Sequence, residues 1–304
     1  MLRGRFEEAW TISDDVLTQR RPHDADRPDM PPHLRFVWDG TPLEGKSVLV
    51  RCYHGLGDTI QFIRCAPMLK RIAHSVAVQA QPELLPLLKT MRGIDTLVPL
   101  DWSSPDPEHE AAIELMEIPH ALRLAIAHLP GPIPYLRPPA PPTIQRDDRL
   151  RVGVAWAAGD WDPQRSMPLR ALDPLAVIPG VAWFSLQRGG AESELNRGAG
   201  PRVENPHDRS LDISLTAQLI AGLDLVISVD TMVAHLSGAM GKRTWLLLHN
   251  DADWRWLTER DDSPWYPTMR LFRQTAQGDW TEPVARVADR LRHLTRRAER
   301  EPAR

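Results

Sequence analysis

Two cysteines in 304 residues, Cys52 and Cys65, are too few for a disulfide framework, and no cysteine or histidine spacing of the zinc-binding kind occurs. No apolar run reaches the roughly 18 residues needed to cross a bilayer, and the opening residues do not have the pattern of a secretory signal. The reducing cytoplasm is therefore the expected compartment. Lysine is confined to Lys46, Lys70, Lys89 and Lys242, so the abundance of arginine is largely compositional. A formal charge of −3 argues against general nucleic-acid binding. The basic tail at 290–304 also carries Glu299 and Glu301 and reads as a solvated helix end, with peripheral attraction to an anionic membrane surface as the alternative.

What is present is the composition of a soluble globular protein, 42% apolar and 25% charged, with enough length for two domains. Residues 2–19 place Leu2, Phe6, Trp10 and Ile12 or Val16 at near-helical intervals ahead of a proline-bearing arm at 20–32. Such a helix cannot bury its stripe alone and must dock on the body or on a partner. From Lys46 strands and helices alternate: strands at 47–53, 75–79, 96–100 and 113–118, helices beginning after Gly57 and at 82–91 and 119–128. Repeated proline at 129–148 forbids both helix and interior strand and marks a boundary. A second alternating series follows from Val152 to a final helix at 281–294. The expected organisation is an N-terminal helix and arm (1–40), two Rossmann-like α/β domains (41–140 and 141–280) with parallel sheets facing a central cleft, and a C-terminal helix and tail (281–304).

The stretch 225–248, LVISVDTMVAHLSGAMGKRTWLLL, organises the second series. An apolar run breaks at Asp230-Thr231, apolar residues recur at helical spacing through Met240, Gly241 closes the helix, and a second apolar run begins at Thr244. A helix starting at a strand's carboxyl end offers unpaired amides and a positive dipole end to an anion, here Asp230, Thr231, Met232, Val233, Ala234 and His235. The alternative is that Asp230 or Thr231 merely caps the helix.

Asp58 follows a Gly-X-Gly turn (Gly55, Gly57) at a strand end, where a carboxylate either accepts a proton from an incoming hydroxyl or caps the helix. Arg165 and Arg188 stand where a guanidinium can fork phosphate oxygens, or are surface arginines. His235 either touches a phosphate or packs as a satisfied imidazole. Trp254, Trp256, Trp265 and Tyr266 read as core beneath a long loop rather than as a stacking surface. Asp251 and Asp253 form a carboxylate pair of the metal-holding kind, but beside a helix-terminus anion site no metal or other cofactor is expected.

Taken together, WDG-PLEGKSVLV, HGLGDTIQFIRCAPMLK, RSMPL, FSLQRGG, LDLVISVDTMVAHLSGAMGKRTWLLL and DWRWLTERDDSPWYPTMRLFRQ resemble the glycosyltransferase family 9 (heptosyltransferase-like) domain often found behind tetratricopeptide repeats. The opening LRGRFEEAW resembles the last helix of such a repeat. The resemblance implies a GT-B architecture, with acceptor bound mainly by the first half and nucleotide-sugar donor mainly by the second. It implies Asp58 as catalytic base, Arg165 facing the donor phosphates, and Asp230-Thr231 through His235 as the diphosphate-binding helix start. It also implies Thr59 and Gln61 on the acceptor side and Gln187 beside the nucleotide. The implied activity is metal-independent, inverting glycosyl transfer to a glycan, lipid-linked or protein acceptor. Two departures stand out: Met232 where glycine is usual, and a loop at 157–165 that is shorter, less basic and carries Ala158. They leave a non-catalytic nucleotide-sugar-binding or interaction module of the same fold as the alternative.

Overall fold

A computed structural model describes residues 1–19, 30–35, 37–129, 133–142, 144, 147–159, 161–197, 200–205 and 212–300. Most of the arm at 20–32 and parts of the proline-bearing stretch lie outside them. The chain divides into two compact units, Met1–Arg137 and Pro138–Arg304.

The first unit begins with α1 (Phe6–Gln19) and a short α2 (Pro32–Arg35). The apolar stripe of α1 docks on its own unit: Phe6 and Trp10 are buried, the Trp10 indole donates to the Leu124 carbonyl at 2.8 Å, and Asp14 is bonded by His120 and Arg123. Ile12 and Val16 stay exposed on the opposite face. Strand β1 (Ser47–Arg51) leads into α3 (Leu56–Phe62) and α4 (Ala66–Ile72), followed by β2 (Ser75–Ala80), α5 (Leu85–Leu88), β3 (Thr96–Pro99), β4 (Ala111–Glu114) and α6 (Ile118–Ala121). All strands pair in parallel, in the order β3-β2-β1-β4. The helices expected at 82–91 and 119–128 are broken into single turns, because Pro86 and Pro119 each withhold an amide and favour a helix start over a continuation.

The second unit runs β5 (Leu150–Ala155), α7 (Asp173–Ala176), β6 (Val181–Ser185), β7 (Val203–Glu204), α8 (Ile213–Gly222), β8 (Leu225–Val229), α9 (Met232–Ala239), β9 (Thr244–Leu248), β10 (Met269–Arg273) and α10 (Thr281–Arg300). Its six strands are all parallel, in the order β10-β9-β8-β5-β6-β7. Every residue of β8 and β9 is buried, as a strand covered on both faces requires. One face packs on α10 through Val284, Val287, Ala288 and Leu291, a helical i, i+3, i+4, i+7 stripe that meets Val152, Val154, Ile227, Leu247 and Phe272. Each Val, Leu, Ile or Phe side chain of this set, taken out of water, contributes about 1.5–3 kcal/mol.

Read from β7, the second sheet has the 3-2-1-4-5-6 order of dinucleotide-binding domains, and its winding reverses between β5 and β8. In the first sheet the reversal falls between β1 and β4. In open parallel sheets the crevice outside the carboxyl ends at such a reversal is where ligands bind. The architecture is thus an α/β fold with two parallel sheets.

Candidate functional site

At the reversal of the second sheet, the chain leaving β8 turns directly into α9. Thr231 is the N-cap: its hydroxyl accepts from the Val233 amide at 3.1 Å, and its carbonyl accepts from the Ala234 and His235 amides. The set of free amides is therefore narrower than the sequence suggested. Val233 and Ala234 are satisfied, and among the described residues the N–H groups at this terminus without a bond are those of half-buried Thr231 and Met232.

The loop leaving β5 comes to the same terminus. Arg165 donates to the Asp230 carbonyl at 3.4 Å and lies 3.8 Å from Asp162. The loop is anchored behind by Gln187, whose carboxamide oxygen accepts from the Trp156 and Ala157 amides while its nitrogen donates to the Ala157 and Arg188 carbonyls. Gln187, expected beside a nucleotide, thus has its hydrogen-bonding capacity committed to shaping this loop. Arg188 is likewise engaged, bonding Thr216 and the Asp212 carbonyl and tying the β6 loop to α8.

Asp230 and His235 belong to a buried cluster beneath the terminus. The Trp256 indole donates to Asp230 Oδ2 at 2.8 Å, and His235 Nε2 lies 3.6 Å from Asp230 Oδ1. His235 Nδ1 is 3.0 Å from the Tyr266 hydroxyl, and its ring stacks on Trp256 with centroids 5.3 Å apart. His235 is thus a packed imidazole with both nitrogens partnered. Burial alone would push the Asp230 carboxyl up, but His235, the charge of Arg255 and the Trp256 indole outweigh it and hold the carboxyl below its ordinary value. Trp256, Trp265 and Tyr266 are fully buried, as core residues under a loop should be. Asp253 caps the turn Trp254–Trp256 and pairs with Arg255. Among the described residues no group of three or more His, Cys, Asp or Glu side chains is placed to hold a metal.

At the reversal of the first sheet, β1 ends in the turn that carries Gly55, Gly57 and Asp58. The Asp58 carboxylate accepts from the Gly55 amide at 3.0 Å, a bond from the first turn of α3 back to its N-cap residue that fixes the carboxylate at the sheet's carboxyl edge. Thr59 and Gln61 are buried, and the Thr59 hydroxyl donates to Gln81, which in turn donates to the His54 carbonyl. Sequence reasoning missed His54 and Glu114. His54 Nε2 lies 3.3 Å from Glu114 Oε1, bridging the ends of β1 and β4 across the reversal. Their signal was positional, since Glu114 is the last residue of a strand next to β1. Cys52 and Cys65 are buried and burial raises both thiols, Cys65 to about 12, so neither is a nucleophile.

No family model matches the chain. Its sequence is 26% identical over 326 residues to Protein FlbA of Caulobacter vibrioides, covering 95% of this chain and 53% of FlbA, so the chain spans about half the length of the curated relative it matches. By structure it resembles ADP-heptose lps heptosyltransferase II of E. coli (TM-score 0.59, 14% identity, 83% of this chain and 99% of that one). It also resembles a glycosyl transferase family 9 protein of Veillonella parvula (TM-score 0.58, 10% identity, 85% and 98%). A third neighbour is the dodecameric iron-containing heptosyltransferase TibC, solved with ADP-D-beta-D-heptose (TM-score 0.56, 11% identity, 84% and 78%). The fold is that of solved heptosyltransferase structures. No helix among the described residues is long and apolar enough to cross a membrane.

Proposed function

We propose that the protein is a glycosyltransferase that moves a sugar from a nucleoside-diphosphate donor to an acceptor hydroxyl, without a metal and with inversion. The observation that carries this reading is the meeting of the Arg165 guanidinium with the α9 N-terminus at the β5/β8 reversal. A diphosphate bound there gains the amides of Thr231 and Met232, the helix dipole and a guanidinium. Charge builds on the leaving diphosphate as the anomeric bond breaks, so fixed donors aimed at it favour the transition state over the bound substrate. The ionised Asp230 and its partners hold the terminus in place for that role.

Asp58 takes the acceptor proton. A base must be fixed before it is useful, and the bond from the Gly55 amide fixes this carboxylate at the edge where β1 ends. Attack by the deprotonating hydroxyl on the anomeric carbon, opposite the departing diphosphate, inverts the centre. The donor families of the neighbours, ADP-heptose among them, supply the first nucleotide sugars to try. Met232, where a glycine is usual in the resembling family, puts a side chain at the mouth of the site and favours a different donor sugar.

The second reading is a binding module of the same fold. It is favoured by the number of expected site side chains (Gln187, Asp230 and His235) whose bonds are spent inside the protein. One experiment separates the two. Incubated with a panel of nucleotide sugars and candidate acceptors in chelator, the enzyme releases nucleoside diphosphate, Asp58→Asn lowers the rate by about 10²–10⁴ as expected for loss of a general base, and Arg165→Ala weakens donor binding. Donor binding with no release, unaffected by Asp58→Asn, would establish the module instead.

A further inference from the structure

Trp161 is 87% exposed, more than any other large apolar side chain among the described residues. Tryptophan is ordinarily well buried, so a ring left this open on an otherwise well-packed unit calls for an occupant. It does not trail in solvent. It sits in the loop between β5 and Arg165, and that loop is held at several points: Ala158 N donates to Ser166 Oγ at 3.0 Å, Gln164 N to Asp162 Oδ1 at 3.0 Å, and the Gln277 amide to Gln164 at 3.3 Å. Asp162 also lies 3.7 Å from His249 at the end of β9 and 3.8 Å from Arg165. The backbone that follows the ring is therefore anchored, and the contact that the ring itself makes is with Arg165.

Its neighbour is what identifies the occupant. The Arg165 guanidinium lies over the Trp161 ring, 5.6 Å from its centroid, while the same side chain reaches the Asp230 carbonyl at the α9 N-terminus. A diphosphate clamped by Arg165 would have the Trp161 ring beside the same guanidinium.

We propose that Trp161 is a stacking platform for the ring borne by the bound diphosphate, a nucleobase or the apolar face of a sugar, and so sets donor affinity and selectivity. This rests on the diphosphate site described above. Aromatic faces accept both kinds of ring, base stacking being worth about 1–3 kcal/mol per base, which is roughly 5- to 150-fold in affinity.

Trp161 packs under nothing, so its replacement leaves the fold intact. Calorimetric titration of the full chain and of Trp161→Ala and Trp161→Phe with inorganic pyrophosphate, ADP, UDP and ADP-glucose tests the proposal. Unchanged pyrophosphate affinity with ADP or UDP weakened about tenfold in Trp161→Ala, and restored in Trp161→Phe, assigns the ring to a base. Unchanged diphosphate affinity with only ADP-glucose weakened assigns it to a sugar. Equal affinity of wild type and Trp161→Ala for all four ligands, with pyrophosphate still bound, overturns the platform and leaves the diphosphate site standing. Failure of the wild type to bind any of them removes the site and the platform together.

Discussion

Asp230 is 5% exposed and still ionised, a state that a carboxylate keeps in the interior only when charge and hydrogen bonds outweigh its lost hydration. Replacing Trp256 by Phe removes the N–H that reaches Asp230 Oδ2 together with part of the buried ring, and a hydrogen bond to a charged group alone is worth about 1.5–3 kcal/mol. Urea unfolding should show Trp256→Phe destabilised by at least that amount, the smaller ring leaving a cavity as well. The sign of the pH dependence follows from the depressed carboxyl: its contribution is complete above the unfolded value of about 3.9 and is lost as pH falls through the lower folded value. The stability gap between wild type and Asp230→Asn should therefore be open at neutral pH and close in acid; a gap that does not vary with pH would mean Asp230 is not the ionised partner. At this scale the placement of Asp58 and Thr231 at helix starts beyond strands was legible because strand ends are read from apolar runs, whereas Arg165, well past the end of β5, was equally readable as a surface arginine. The packed state of His235 was not settled by the sequence, because its partner Tyr266 is 31 residues away and no local pattern joins them.

Among the elements, α9 carries the candidate site and is itself shaped by what lies on its buried side. A Cβ placed on Gly238 would come within 2.5 Å of the Tyr266 ring, a fully buried side chain whose hydroxyl meets His235. The glycine thus lets the ring approach closely enough to hold the imidazole, and through it Asp230. Gly238→Ala, ordinarily favourable in a helix, should instead cost about 1–3 kcal/mol through overpacking, measured by thermal or urea unfolding, with far-UV dichroism unchanged. A neutral or stabilising result would show that the Tyr266 contact does not constrain α9. The strand-helix-strand at 225–248 was readable because its periodicity changes cleanly from a continuous apolar run to a helical spacing and back. The helical segments around Pro86 and Pro119 were overestimated because their apolar spacing is helical while the prolines cut the hydrogen-bond ladder. The two-residue β7 is too short to leave any periodic trace.

Across the whole molecule the same device occurs in each unit: a parallel sheet, a reversal of winding, and chemistry-bearing side chains at the carboxyl ends beside it. Alternation of strands and helices made the fold class legible, but strand order was not, since nothing in a single strand says which neighbour it takes. It is the order that turns Asp58, His54 and Glu114 in one unit, and Arg165 and Thr231 in the other, from scattered residues into edge groups. The proposed function requires a diphosphate held in the second unit by two main-chain amides and one guanidinium. Amide-resolved NMR of the deuterated full chain during titration with a nucleoside diphosphate tests it most directly. The largest shifts should fall on the Thr231 and Met232 amides and the Arg165 side chain, with Val233 and Ala234 following less. Saturable binding that leaves Thr231, Met232 and Arg165 unmoved would contradict it.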